Sequence, residues 1–297
     1  MRPLEVKSTL AMLSAPRLSN YATYFNTSDE HDLYACYQWN NEVSRSFLPI
    51  IHLIEVSLRN AYHRELSLYF SKLQTGRATS TFDWYIHAKL DIKSREAVDK
   101  ILVKTTRPDD VISRLTFGFW HNITETKDIP WAQLLPKVFP DINRSWSTRP
   151  KRDWLYVRVK MVNDFRNRVS HWEPIWKLGD LFEERRHRSG DAPLTLISPS
   201  TKNPSESIVR LHTLHQRMSA LLDGLCKKTG KTYRDSYSHE HLRWVCSTAG
   251  ISSFRSSEEH TTIEEADTEK SILRIMNERK ITTVKNGKKS VARIFPL

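Results

Sequence analysis

The densest grouping of chemically capable side chains is Phe165-Arg166-Asn167-Arg168-Val169-Ser170-His171-Trp172-Glu173-Pro174-Ile175. On a helix, Asn167 and His171 share one face at i, i+4, with Asn163 a turn earlier and Arg166 about 100° round from Asn167. One helix end then presents a guanidinium, an amide and an imidazole to overlapping space. That set suits phosphodiester chemistry. Arginine makes bidentate, permanently charged contacts with phosphate. Histidine moves protons near neutrality, and asparagine can orient either group. No metal is needed when the nucleophile is an RNA 2′-hydroxyl. The competing reading is a helix end with a capping histidine and surface arginines, and the Arg-to-His spacing alone does not separate the two.

Other chemistries lack their signatures. No phosphate-binding GxxxxGK[ST] loop, HExxH pair, nucleophile elbow or EF-hand loop occurs. His239, His241 and Cys246 form the nearest metal-like grouping, but their spacing fits no standard zinc site, and His239 to His241 reads as a solvated loop. No metal or cofactor is expected.

The elements that must position the motif are helical. Its own helix is expected from about Arg152 to Trp172, with Trp154, Val157, Met161, Phe165 and Val169 as the apolar face and Pro174 as the stop. A longer pattern runs from about Asp29 to Phe70. Its stripe of Phe47, Ile50, Ile51, Ile54, Leu58, Ala61, Tyr62, Leu66 and Tyr69 implies a bundle element that Pro49 opens or kinks. Residues 1–13 read as a loose lead-in, 74–81 as a loop, 82–104 as helical, and 188–206 as a linker or surface loop. Arg107-Pro108-Asp109-Asp110 reads as a turn and N-cap, and Pro130, Pro136 and Pro140 imply short helices. Ile208 to Leu225 is a further amphipathic helix. In the tail, six acids between Glu258 and Glu269 precede eight Lys or Arg between Lys270 and Arg293, where Asn286-Gly287 signals a hairpin with a type I′ turn. An isolated hairpin is marginal in water, so it either packs on the helical body or adds to a partner.

Composition sets the frame. Among 297 residues, 46 Lys and Arg face 34 Asp and Glu, a net charge of +12. An excess this large points to an anionic partner, nucleic acid before membrane surface. From Arg144 to Arg188 there are 12 basic and six acidic residues, half of the net charge in 45 positions. Arg149, Lys151, Arg152, Arg158, Lys160 and Arg168 are therefore the candidate RNA clamp. With 39% hydrophobic residues the chain can build a core, and eight glycines favour helices over Gly-rich sheets. Three widely spaced cysteines imply free thiols in a reducing compartment. No signal peptide or membrane span is expected, which implies a cytoplasmic protein.

The motif in its setting, RNRVSHWEPIW, resembles the RNR-x-x-H-x-EPI block of Abi-like (abortive-infection) proteins of the HEPN ribonuclease superfamily. Other blocks follow in order: LSAPRLSNY, YQWNNEVSRSF, LIEVSLRNAYHREL, LTFGFWHNI and PKVFPD. The resemblance covers residues 12–178. It implies an all-α, HEPN-type bundle, assigned with additional helices to residues 1–230, while residues 231–297 match no block of the family and are read as a C-terminal extension that carries the hairpin. It also implies a homodimer in which two motif helices form a composite, metal-independent RNase site. His171 would be the general acid/base, Arg166 would bind the scissile phosphate and Asn167 would position them. Glu173 is the acid of the EPI block. Glu55, Arg59 and Asn60 match the family's E-x-x-x-RN. Glu55 and Arg59, at i, i+4, can pair on one apolar helix face, as a structural tie to the motif helix in preference to direct catalysis. The family often has a second histidine where this chain has Trp172. Either that histidine is dispensable or Trp172 stacks on a base; closing the core or a dimer contact is the plainer expectation.

Three functions compete. The first is a HEPN endoribonuclease toxin of phage defence or a toxin–antitoxin pair, with RNA and an antitoxin as partners. The second is a non-catalytic RNA-binding HEPN module. The third is a partner-binding protein that docks through its tail hairpin. The tail's acidic-then-basic layout also permits autoinhibition of the basic cleft.

Overall fold

The computed structural model describes residues 5–255, 261–278 and 282–294, with the side chains of Arg149, Thr261, Glu278 and Arg293 outside that description. Among the described residues it is predominantly helical, with fourteen α-helices and five short strands.

The organising element is α3 (Glu30–Thr75), 46 residues long, or about 69 Å at 1.5 Å per residue. Asp29 caps its start, accepting a bond from the Asp32 amide at 2.8 Å. Gly76, at φ 74°, ends it in the left-handed conformation. Buried residues recur every three or four positions: Trp39, Val43, Phe47, Ile50, Ile54, Leu58, Tyr62, Leu66 and Phe70. Of the two expectations for Pro49, opening a helix does not hold: it lies inside α3, and the chain stays helical through it. A proline inside a helix costs about 3 kcal/mol. Burying each of Phe47, Ile50, Ile51 and Ile54 contributes about 1.5–3 kcal/mol, so packing on both sides of Pro49 outweighs that cost.

Around α3 pack α1 (Val6–Ala11), α2 (Ala15–Phe25), α4 (Trp84–His87), α7 (Phe117–Asn122), α8 (Trp131–Val138), α9 (Arg149–Ser170), α10 (Pro204–Leu225), α12 (Tyr237–Val245) and α13 (Thr248–Arg255). The remaining helices of this body are α5 (Ile92–Leu102), α6 (Pro108–Arg114) and α11 (Lys227–Arg234). Several expectations need correction. Within the lead-in, Val6–Ala11 is helical, and it buries Val6 and Leu10. The 82–104 pattern divides into α4 and α5, because Asp91 caps a new start by accepting from the Ser94 amide. Within the expected linker, β2 (Leu196–Ser198) pairs antiparallel with β1 (Leu181–Phe182). His239 and His241 lie on α12, not in a solvated loop: the His241 Nε2 meets Glu42 at 2.7 Å and the His239 Nδ1 meets the Arg234 carbonyl at 2.9 Å. One hydrophobic core runs from Tyr21 to Ile251, so its packing continues past residue 230.

A second, small cluster joins Ile263 of β3 (Thr261–Glu264), Ile275 of α14 (Thr268–Glu278) and Val284 of β4 (Thr282–Asn286), with Ile294 of β5 (Lys289–Ile294) against it. β3 pairs parallel with β4, and β4 antiparallel with β5. The hairpin is present, but its cover is β3 and α14. Its turn is also displaced by one residue: Asn286 pairs with Lys289, and of the two residues between them Gly287 alone has positive φ, 59°. Positive φ at the first central position only is the type II′ pattern rather than I′.

The three cysteines are free, and burial pushes the Cys36 thiol up to about 12. Among the described residues, no helix is long and apolar enough to cross a membrane.

Candidate nuclease site

Helix α9 carries the motif. Its buried stripe is Leu155, Val159, Val162, Phe165 and Val169. Trp154, Val157 and Met161, expected in that stripe, are half-buried instead. Trp154 has guanidinium groups on its ring, Arg158 at 4.3 Å and Arg144 at 5.2 Å, which keep it at the edge of the core.

The helix stops at Ser170, earlier than Pro174 implies. The Trp172 amide bonds the Val169 carbonyl at 3.2 Å and the Glu173 amide bonds the Arg168 carbonyl at 2.9 Å. This is a Schellman ending, with Trp172 at φ 55° in the place usually held by glycine. His171 is therefore the C-cap (φ −94°, ψ 7°), one residue past the last helical one, and its amide still bonds the Asn167 carbonyl at 3.0 Å, which keeps the two one turn apart as expected.

What holds the chain after His171 comes from far away in sequence. Arg17 of α2 donates to the Trp172 carbonyl at 2.9 Å. Asn40 of α3, fully buried, accepts from the Ile175 amide at 3.0 Å and donates to the Glu173 carbonyl at 3.4 Å. Lys177 reaches Asn20 at 3.1 Å. Trp176 is enclosed by Tyr21, Tyr24 and Phe25 at ring distances of 5.0, 4.2 and 5.1 Å. Two of the ordered sequence blocks, LSAPRLSNY and YQWNN, thus converge on one loop, 172–178. Sequence reasoning assigned no role to Arg17 or Asn40. Their signal was the blocks themselves, without any hint of what they touch.

The motif side chains are largely disengaged. Arg166, 42% exposed, lies with its Nε 3.9 Å from the Glu55 carboxylate. Among the described residues, no hydrogen bond or ion pair holds the side chains of Asn167 or the exposed His171. Glu55 therefore faces Arg166 across the α3–α9 contact rather than pairing with Arg59, which reaches the Ser113 carbonyl at 3.4 Å. Asn60 is exposed. Glu173 pairs with Arg168 at 3.4 Å. Alongside, α7 runs antiparallel to α9, with His121 against Tyr156 at 4.6 Å and Gly118 opposite Asn163. Burial, then Lys160, depress the His121 pKa.

The candidate clamp divides. Arg158 is bound bidentately to Glu184 at 2.7 and 3.0 Å. Arg168 holds the Pro174 and Lys177 carbonyls, and burial lowers its pKa. Arg152 donates to the Trp146 carbonyl at 3.1 Å. Lys160 pairs with Asp164 on the surface, and Lys151 reaches Ser145 and Ser147. The Arg149 side chain lies outside the described residues. Among the described residues, no group of three or more His, Cys, Asp or Glu side chains could hold a metal ion.

No family model, curated protein or solved structure matches this chain.

Proposed function

We propose that this protein is a metal-independent endoribonuclease with a HEPN-type site, of the Abi-like kind. The observation that carries the reading is a contrast in how the polar groups are used. Arg158 and Arg168 are fastened to carboxylate or carbonyl partners, while Arg166, Asn167 and His171 stand at the end of a braced helix with little to bind. Polar groups carried on a braced helix with few partners of their own are what a substrate requires.

In the proposed reaction, Arg166 holds the scissile phosphate and Glu55 limits where its guanidinium can swing. The RNA 2′-oxygen attacks phosphorus and its proton passes to a base. The bond to the 5′-oxygen breaks, and that oxygen is protonated as it leaves. Products are a 2′,3′-cyclic phosphate and a 5′-hydroxyl. His171 supplies one of these proton transfers, and its counterpart in a second copy supplies the other in a homodimer. Asn167 orients the phosphate or the imidazole. Exposed Lys151 adds a sequence-independent phosphate contact. On this reading the enzyme acts as a toxin in phage defence or beside an antitoxin.

The test is cleavage of total tRNA and mRNA in EDTA by wild type and His171→Ala. Cleavage by wild type alone, with cyclic phosphate ends, supports the reading. Equal cleavage by both refutes the role of His171. Tight RNA binding without cleavage by the wild type favours a binding module.

A further inference from the structure

Trp172 occupies a backbone position that suits glycine. A bulky residue at φ 55° is an outlier, because its Cβ crowds the following carbonyl. Among the described residues, the other non-glycine residue with positive φ is Asn26, a type that tolerates it. The Trp172 conformation is fixed from three directions: the Schellman bonds of α9, Arg17 of α2 on its own carbonyl, and Asn40 of α3 on the next one. Strain that the surroundings hold so firmly is characteristic of working positions.

The indole does not close the core. It is 54% exposed, whereas the other eight tryptophans are buried or half-buried. Between Val103 and Phe182 it is the only large apolar side chain exposed among the described residues. Its companions on this loop are His171, Glu173 and Lys177, with Arg17 on its carbonyl and Arg166 on the preceding turn. The aromatic anchor of a protein interface sits in an apolar patch. An exposed indole on a loop that also carries Lys177 and is tied to Arg17 has the make-up of a stacking platform for single-stranded nucleic acid, where every base offers a π-face and the backbone offers charge.

We propose that Trp172 is a nucleobase-stacking subsite, which takes the face of a base in single-stranded RNA beside the phosphate held by Arg166. The proposal rests on the nuclease reading for its substrate. Trp172 makes and breaks no bond; it binds.

The test uses full-length protein in the His171→Ala background, so that RNA stays intact, and a fluorescein-labelled ten-nucleotide oligouridine as probe. Adding Trp172→Gly is expected to leave the melting temperature unchanged or raised, because the strain is relieved, yet to weaken binding about tenfold to a hundredfold. Trp172→Phe is expected to restore much of the affinity. The oligonucleotide should also shield the exposed tryptophan from acrylamide quenching, and that protection should vanish in the glycine variant. Unchanged affinity in Trp172→Gly overturns the subsite, as does a lowered melting temperature that accompanies the loss. Dissociation of a dimer on sedimentation would make the indole a subunit contact and also overturn it. The two readings fail separately. Wild type that binds through Trp172 but never cleaves refutes the nuclease alone. His171-dependent cleavage with Trp172-independent affinity refutes the subsite alone. No affinity of the His171→Ala protein for the probe refutes the subsite.

Discussion

Asn40→Ala removes a side chain that no solvent reaches and that fastens the loop after His171. Its Oδ1 accepts from the Ile175 amide at 3.0 Å, and Ile175 is only 1% exposed, so in the variant that N–H has neither a partner nor water. A buried donor left unsatisfied costs about 1–3 kcal/mol. The second bond, to the Glu173 carbonyl at 3.4 Å, is long and sits beside an exposed residue, so water replaces it at little cost. With about 2 kcal/mol lost and about 2–4 °C per kcal/mol for a body of this size, the melting temperature should fall by about 4–8 °C. Asn40→Asp retains the acceptor but loses the donor and places a carboxylate where solvent is absent. At neutral pH it should melt lower still, and the gap should narrow as acid protonates it. Calorimetric melts check the order, and amide exchange at Ile175 should accelerate in the alanine variant. A melting temperature within about 1 °C of wild type would show that something else holds the loop, and would remove the footing argued for Trp172.

Two further outcomes follow from side-chain surroundings. Arg168→Ala should lower the melting temperature by several degrees, because the guanidinium carries the Pro174 and Lys177 carbonyls, whereas Lys151→Ala should leave it unchanged while reducing the salt dependence of RNA binding; equal melting temperatures would contradict this division of labour. His215 is buried, and burial lowers its pKa to about 4 from an unfolded value near 6.5. The unfolded chain thus binds the proton first, so stability is complete above pH 6.5 and declines as pH drops towards 4, by about 3 kcal/mol in all. Denaturant titrations across that range should show the decline in wild type and a flatter profile in His215→Gln; parallel profiles would exclude His215 as the source.

Local features of this fold were legible in the sequence and distant ones were not. The stripe of α3 and the positions of α9 and α10 follow from apolar spacing, although Val209 of α10, apolar at the helical spacing, is exposed. The hairpin follows from its Asn-Gly pair, although Gly287 took the first turn position rather than the second. Strands of two and three residues such as β1 and β2 leave no periodicity to read. Glu55 looked like a partner for Arg59 because i, i+4 spacing is visible, while the helix carrying Arg166 is more than a hundred positions away. The basic balance was countable, but which arginines it leaves free depends on Glu184 and on carbonyls that no local pattern reveals. The motif helix was placed from its spacing, and its ending was not, because a tryptophan in a glycine position stops it at Ser170, two residues before the expected Trp172.

The ties that finish the site also set when it can be finished. Trp39, next to Asn40, donates its indole N–H to the Val245 carbonyl at 2.8 Å, and Arg255 holds both Asp32 and the Phe25 carbonyl at the end of α2. A growing chain therefore emerges from the ribosome with its motif helix long before the supports of α2 and α3 are secured. A translation product cut short before residue 245 has the motif helix without these fastenings.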